Sequence, residues 1–202
     1  MTYFSMKYPR LIIVLIISLL TLGLVGCESK YSQMLNEEAK KNILKDSLIL
    51  GMTLGDNKAD FFKRCWQLNQ EGLVSQGPNN KMVKYPLPMS PKQESTSAIT
   101  LLFYGTFNDQ NTMTGMDLTF SYDAWSPWNS NLTAQQLLPI VQDTLIKWFP
   151  GNDFIAVKSD QIEKSAFVKI DGNRQIMTYA KDDKDVVVKI EDLRLKYPEK
   201  YN

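Results

Sequence analysis

Ala98-Ile99-Thr100-Leu101-Leu102-Phe103-Tyr104-Gly105-Thr106-Phe107 and Met113-Thr114-Gly115-Met116-Asp117-Leu118-Thr119-Phe120-Ser121-Tyr122 flank the polar run Asn108-Asp109-Gln110-Asn111-Thr112. Both flanks are rich in aromatic and β-branched residues, and the run between them is turn-forming, so the stretch predicts a β-hairpin. In its second strand Met116, Leu118, Phe120 and Tyr122 alternate with Asp117, Thr119 and Ser121. A period of two puts the first set on a covered face and the second in water. An antiparallel sheet with one wet face is therefore the frame to which the other segments attach.

Downstream, 123–131 is an unusual loop carrying Trp125 and Trp128 around Pro127. Thr133-Ala134-Gln135-Gln136 has capping-box spacing. Leu137, Val141, Leu145 and Trp148 then recur at helical intervals, and Pro150-Gly151 stops the helix. Pro139 predicts a kink or a later start. The strand-like runs 154–158, 166–170, 174–180 and 185–191 form a meander, with tight turns at Asp171-Gly172-Asn173 and Asp182-Asp183-Lys184. The last ten residues, 193–202, read as a polar, frayed tail.

Upstream, Phe61, Cys65 and Leu68 follow i, i+4, i+7, flanked by Phe62 and Trp66, which predicts a core-facing helix over 56–71 closed by Gly72. Leu48-Ile49-Leu50 reads as a short buried strand, 77–80 as a turn and 88–97 as a polar loop. Pro86 ends the strand 82–87 or places it at an edge. Within 28–47, Leu35, Ala39 and Ile43 fit an amphipathic helix. A solvated tether, poorly ordered over its first dozen residues, fits the same composition. Helices segregated from hairpins mean α+β. A helix followed by antiparallel strands appears twice, so the expectation is one domain over 48–192 built of two such units, about 48–124 and 131–192.

The 202 residues include 23 basic and 22 acidic side chains and no histidine. Without residues 1–26, which contain Lys7 and Arg10 and no acid, the balance is 21 to 22. That gives no basic surface for nucleic acid and no acidic tail. Lack of histidine removes Ser-His-Asp and Cys-His catalysis, histidine general bases and the commonest zinc sets. No Ser-x-x-Lys, Gly-x-Ser-x-Gly or phosphate-binding glycine loop occurs, so the chain is expected to be no enzyme and to need no cofactor or metal.

Lys7 and Arg10 precede an apolar run of about fifteen residues, short for a membrane span of about 20 and right for a secretory signal. Small Gly26 stands before Cys27. Leu24-Val25-Gly26-Cys27 resembles the lipobox of bacterial lipoproteins. That resemblance implies a signal peptide over 1–26, cleavage before Cys27, acylation of its sulfur and attachment to the membrane of the cell envelope; an uncleaved anchor with a chance cysteine is the other reading. Glu28 is not the aspartate of the enterobacterial inner-membrane sorting pattern, which points to the outer membrane. With Cys27 acylated, Cys65 has no disulfide partner. It is expected to be a buried, inert thiol.

At Leu50-Gly51-Met52-Thr53, followed by a helix opening on acids, a glycine and a hairpin, the first half resembles the SmpA/OmlA lipoproteins of the β-barrel assembly machinery. It is similar too to the β-lactamase-inhibitor-protein-like fold, where helix-plus-sheet units occur in tandem. Cys65-Trp66-Gln67-Leu68-Asn69, 122–129 and Lys169-Ile170-Asp171-Gly172-Asn173-Arg174 resemble a set of uncharacterised bacterial envelope lipoproteins, and that likeness carries no activity. The function expected is a lipid-anchored, protein-binding or envelope-assembly module with an envelope protein partner.

Trp125, Trp128, Tyr122 and Tyr104 are the candidate binding residues, because aromatic side chains anchor interfaces and stack on sugars. A glycan or small-ligand binder using the Trp125–Trp128 loop is the alternative. The bland reading packs both tryptophans over the sheet and second helix. Asp171-Gly172-Asn173 and 182–185 have the oxygen-rich look of calcium loops without the EF-hand spacing, and turn chemistry accounts for them. Asp56, Asp60, Glu71, Asp117 and Asp123 could supply a hydrolase pair only if two of them met in one pocket.

Overall fold

The structure, a computed structural model, describes residues 29–89, 97–159 and 162–201; Cys27, the apolar run before it and most of the 88–97 loop lie outside the described residues. Eight strands form one antiparallel sheet: β1 (Ser75–Gln76), β2 (Val83–Pro86), β3 (Ile99–Phe107), β4 (Met113–Tyr122), β5 (Ile155–Ser159), β6 (Ile162–Asp171), β7 (Arg174–Ala180) and β8 (Val186–Asp192). Their order is β1-β2-β3-β4-β8-β7-β6-β5. The last strands of the two meanders, β4 and β8, meet in the middle. Among the described residues the α-helices are α1 (Lys30–Lys41), α2 (Lys58–Gln70), α3 (Ala134–Trp148) and the short α4 (Leu193–Lys196). The fold is α+β, mostly sheet.

The alternation predicted for the hairpin sets the register. Met116, Leu118 and Phe120 stand opposite Ile190, Val188 and Val186, and all six are buried. Phe61 and Leu68 of α2, with Leu137, Val141 and Leu145 of α3, cover that face. Helix α1 packs on the reverse face against β5 and β6, with Leu35 among Val168, Ile170 and Leu193. Next to the β6–β7 turn both faces are thus covered, since 168–176 are all buried, while the edge strand β5 leaves Ala156 and Lys158 exposed. Asp117 and Lys189, on the reverse face of β4 and β8, stay partly open to water.

Four segments differ from expectation. Leu48-Ile49-Leu50 is no strand: the Leu48 N–H donates to Met52 O at 2.8 Å, and residues Ile49–Gly51 form a 3-10 turn with Leu50 at φ 56°. In 28–47 the helix reading holds as α1, which Ser29 caps and whose Leu35 is buried; it is the expected poor order of the first dozen residues that differs over the described part. The chain end does not fray either, since Leu193, Tyr197 and Tyr201 fall four apart and pack into the α1 cluster. Helix α3 starts at Ala134 and runs through Pro139; the Thr133 side chain makes no cap, and the Ala134 N–H donates to Asp183 O at 2.8 Å.

The β6–β7 turn, Asp171 to Arg174, is where these segments are tied together. Gly172 has φ 58°, and a Cβ there would run into the Ile43 carbonyl oxygen. The Gly172 N–H donates to Glu38 Oε2 (2.8 Å), and Asn173 Oδ1 accepts from the Lys45 N–H (2.6 Å). Arg174 Nη1 donates to Ser47 O (2.6 Å), and Tyr201 Oη to Gly172 O (3.0 Å). Asp171 sits between Lys169 Nζ (3.1 Å) and Arg174 Nη2 (3.8 Å), and all three side chains are out of water. Lys169 Nζ also donates to Phe149 O (2.5 Å), while the guanidinium lies 4.4 Å over the Phe149 ring.

Burial pushes the Glu38 carboxyl up, but hydrogen bonds from Lys41, the Gly172 N–H and Asn152 outweigh it and hold it below the ordinary value. A depressed folded pKa stabilises above the unfolded value of about 4.3, and that stability is lost as pH falls through the folded value. The urea midpoint should therefore drop on acidification below about pH 4.3, and Glu38→Gln should make that drop shallower. Identical pH profiles for the two proteins would remove Glu38 from the account.

Candidate functional site

Asn57 caps α2 by accepting the Ala59 N–H at 2.9 Å. From there a 3.6-residue period turns Phe61 and Leu68 inward and carries Phe62 and Trp66, four apart, onto one outer stripe. The two flanking aromatics therefore do not join the core: Phe62 is 49 % and Trp66 62 % exposed. Between this stripe and the β1–β2 end of the sheet lies a groove of about 370 Å³, lined also by Cys65, Met82 and Tyr104. The Tyr104 ring meets Phe62 at 6.3 Å and Phe61 at 5.3 Å, edge to face. Edge-to-face packing orients rings beyond what burial alone does, so Tyr104 and Phe62 are set against each other at this end of the groove.

Burial pushes the Cys65 thiol up to about 11. The thiolate is the reacting form. At pH 7.5 alkylation of Cys65 should thus run roughly two orders of magnitude slower than that of free cysteine. Mass spectrometry after a timed iodoacetamide pulse measures this, and a rate equal to the free amino acid would contradict the packing.

The candidate aromatics do not converge on one patch. Tyr122 is buried and pairs with Ile99, five ladder positions from the Tyr104–Asp117 pair. Trp125 is half-buried: its Nε1 donates to Asp183 O at 3.2 Å, and Lys184 Nζ lies 5.7 Å from its ring. Tyr122 and Trp125 line a separate, polar groove of about 530 Å³ with Asp123 and Lys184. Only Trp128 stands free, 92 % exposed. Packing and display thus divide the two tryptophans between them.

The carboxylates are scattered over structural tasks. Asp56 Oδ2 accepts the Thr53 N–H (2.8 Å), Asp60 lies in the first turn of α2, and Glu71 stands at its C-terminal end, bonded there through its backbone N–H. Asp123 accepts from the Thr100 hydroxyl (2.5 Å). Asp117 is raised by burial, opposed by Lys189 and raised further by Glu191. The grooves that contain Asp117 and Asp123 contain none of the other four. Asp182 Oδ1 accepts the Lys184 and Asp185 N–H groups, a turn closed on itself. Among the described residues no three His, Cys, Asp or Glu gather as a metal site, and no helix is long and apolar enough to cross a membrane.

Sequence reasoning missed the Phe62–Trp66 stripe, although a signal was there. Phe61, Cys65 and Leu68 already fill one face, so Phe62 and Trp66 could not both share it. The described residues form an α+β module with an apolar groove beside the exposed stripe of α2. No family model, no curated protein and no solved structure matches the chain.

Proposed function

We propose that the chain is a bacterial envelope lipoprotein, anchored through lipid on Cys27 in the outer rather than the inner membrane, that binds a protein partner and performs no catalysis. In this reading 1–26 is the signal peptide. The globular part is two helix-plus-antiparallel-strand units, α2 with β1–β4 and α3 with β5–β8, packed as one domain. The observation that carries the binding role is the exposed Phe62–Trp66 stripe beside a preformed groove. Exposed aromatics over a cleft are the anatomy of an interface hot spot. The adjacent sheet edge, β1, is only two residues long, which leaves little template for an added strand. Recognition is therefore by side chains entering the groove. Lys81 is the one charged residue among those lining it, which favours an apolar segment flanked by acids.

Affinity capture of the lipidated chain from detergent extracts at near-native levels tests this. One envelope protein should be recovered with the wild type and lost with Trp66→Ala; recovery of none would remove the reading. Trp128 supports a second reading, a glycan platform, since an indole so open to solvent offers its whole face for stacking. Unchanged tryptophan fluorescence across peptidoglycan fragments would end that reading.

A further inference from the structure

We infer that the end of the domain around the start of α1 lies directly on an anionic bilayer, with Lys30, Lys158 and Lys196 against lipid phosphates. The inference rests on the proposed acylation of Cys27. One residue, Glu28, separates Cys27 from Ser29, and two peptide units span at most about 7 Å. Ser29 is part of the folded domain: its Oγ accepts the Ser32 N–H at 3.1 Å and caps a helix docked on β5 and β6. A lipid on Cys27 therefore leaves no tether, and the surface next to Ser29 must meet the headgroups.

That surface has the chemistry for it. Ser29 lines a groove of about 590 Å³ whose other lining residues, among those described, include Lys30, Lys158 and Lys196 and no carboxylate. Its floor is apolar, from Val157, Val168 and Met177. All three lysines are exposed. Among the described residues Glu191, 3.7 Å from the Lys196 amine, is the one carboxylate paired with any of them. Lysine stems can lie along such a floor while the amines reach phosphate. Basic side chains beside a bilayer are drawn to anionic lipid by about 1 kcal/mol each, or roughly fivefold in occupancy.

The test is an amine-acetylation footprint of the full lipidated chain, read by mass spectrometry. It compares vesicles containing phosphatidylglycerol with vesicles of phosphatidylcholine alone. Lys30, Lys158 and Lys196 should be modified about fivefold more slowly in the anionic vesicles. Lys63 on α2 and Lys147 on α3, across the sheet, should not change. Equal modification of all five, with the Cys27 peptide carrying its acyl mass, overturns the inference and leaves the anchor standing. Equal protection in both vesicle types removes the phosphate contacts. An unmodified Cys27 peptide overturns the anchor and the inference together.

Discussion

Asp171→Ala is expected to lower the stability of the protein by about 3–5 kcal/mol, read as the shift in its urea unfolding midpoint at constant slope. Asp171 stands between Lys169 and Arg174, and the structure leaves neither cation in water. Removing the carboxylate strands two buried positive charges, which costs far more than the pair contributes when whole. The Asn152 N–H, which donates to Asp171 Oδ1 at 2.8 Å, loses its acceptor as well. A domain of this size has total stability of about 5–15 kcal/mol, so the variant should be near the edge of folding at 37 °C. Asp171→Asn keeps an acceptor for Asn152 and should recover part of the loss. A midpoint unchanged by Asp171→Ala would mean that the two cations find water or other partners, and the turn would lose its place as the tie between α1, the 43–47 segment and the chain end.

Trp66→Ala should weaken partner binding by about 2 kcal/mol or more, roughly thirtyfold, with little change in unfolding midpoint. The indole is mostly in solvent in the free protein, so its truncation leaves no cavity and opens no core. Phe62 should behave less cleanly, because its ring also meets Phe61 at 5.5 Å and Tyr104 at 6.3 Å. Trp128→Ala is the control from the second reading and should change protein binding less than about threefold, as most interface-distant surface changes do. Equal losses from Trp66→Ala and Trp128→Ala would move the binding surface towards the loop.

How much of this was legible in the sequence differs by segment, for physical reasons. The β3–β4 hairpin and its covered face were readable because alternation over seven residues leaves one register that buries every apolar side chain. β7 has the bounds expected because the turns Asp171-Gly172-Asn173 and Asp182-Asp183-Lys184 delimit it on both sides. Lys169 was not readable as buried. It alternates with Val168 and Ile170, which face α1, and its own partners, Phe149 O and Asp171, come from the end of α3 and a turn. A single strand's pattern carries no sign that both faces are covered. The chain end was misread because charged residues between Leu193, Tyr197 and Tyr201 mask a period of four. For the site, counting aromatics found Trp128 but not Trp66, since exposure on a helix follows from which neighbours already fill the core.

A photo-crosslinking residue placed at position 66 tests the proposed binding surface most directly. In intact envelopes, position 66 should give one adduct of defined mass, while the same residue at Asp143, exposed on α3, should give none. No adduct at 66, or equal adducts at both positions, would contradict the groove as the site where this protein meets its partner.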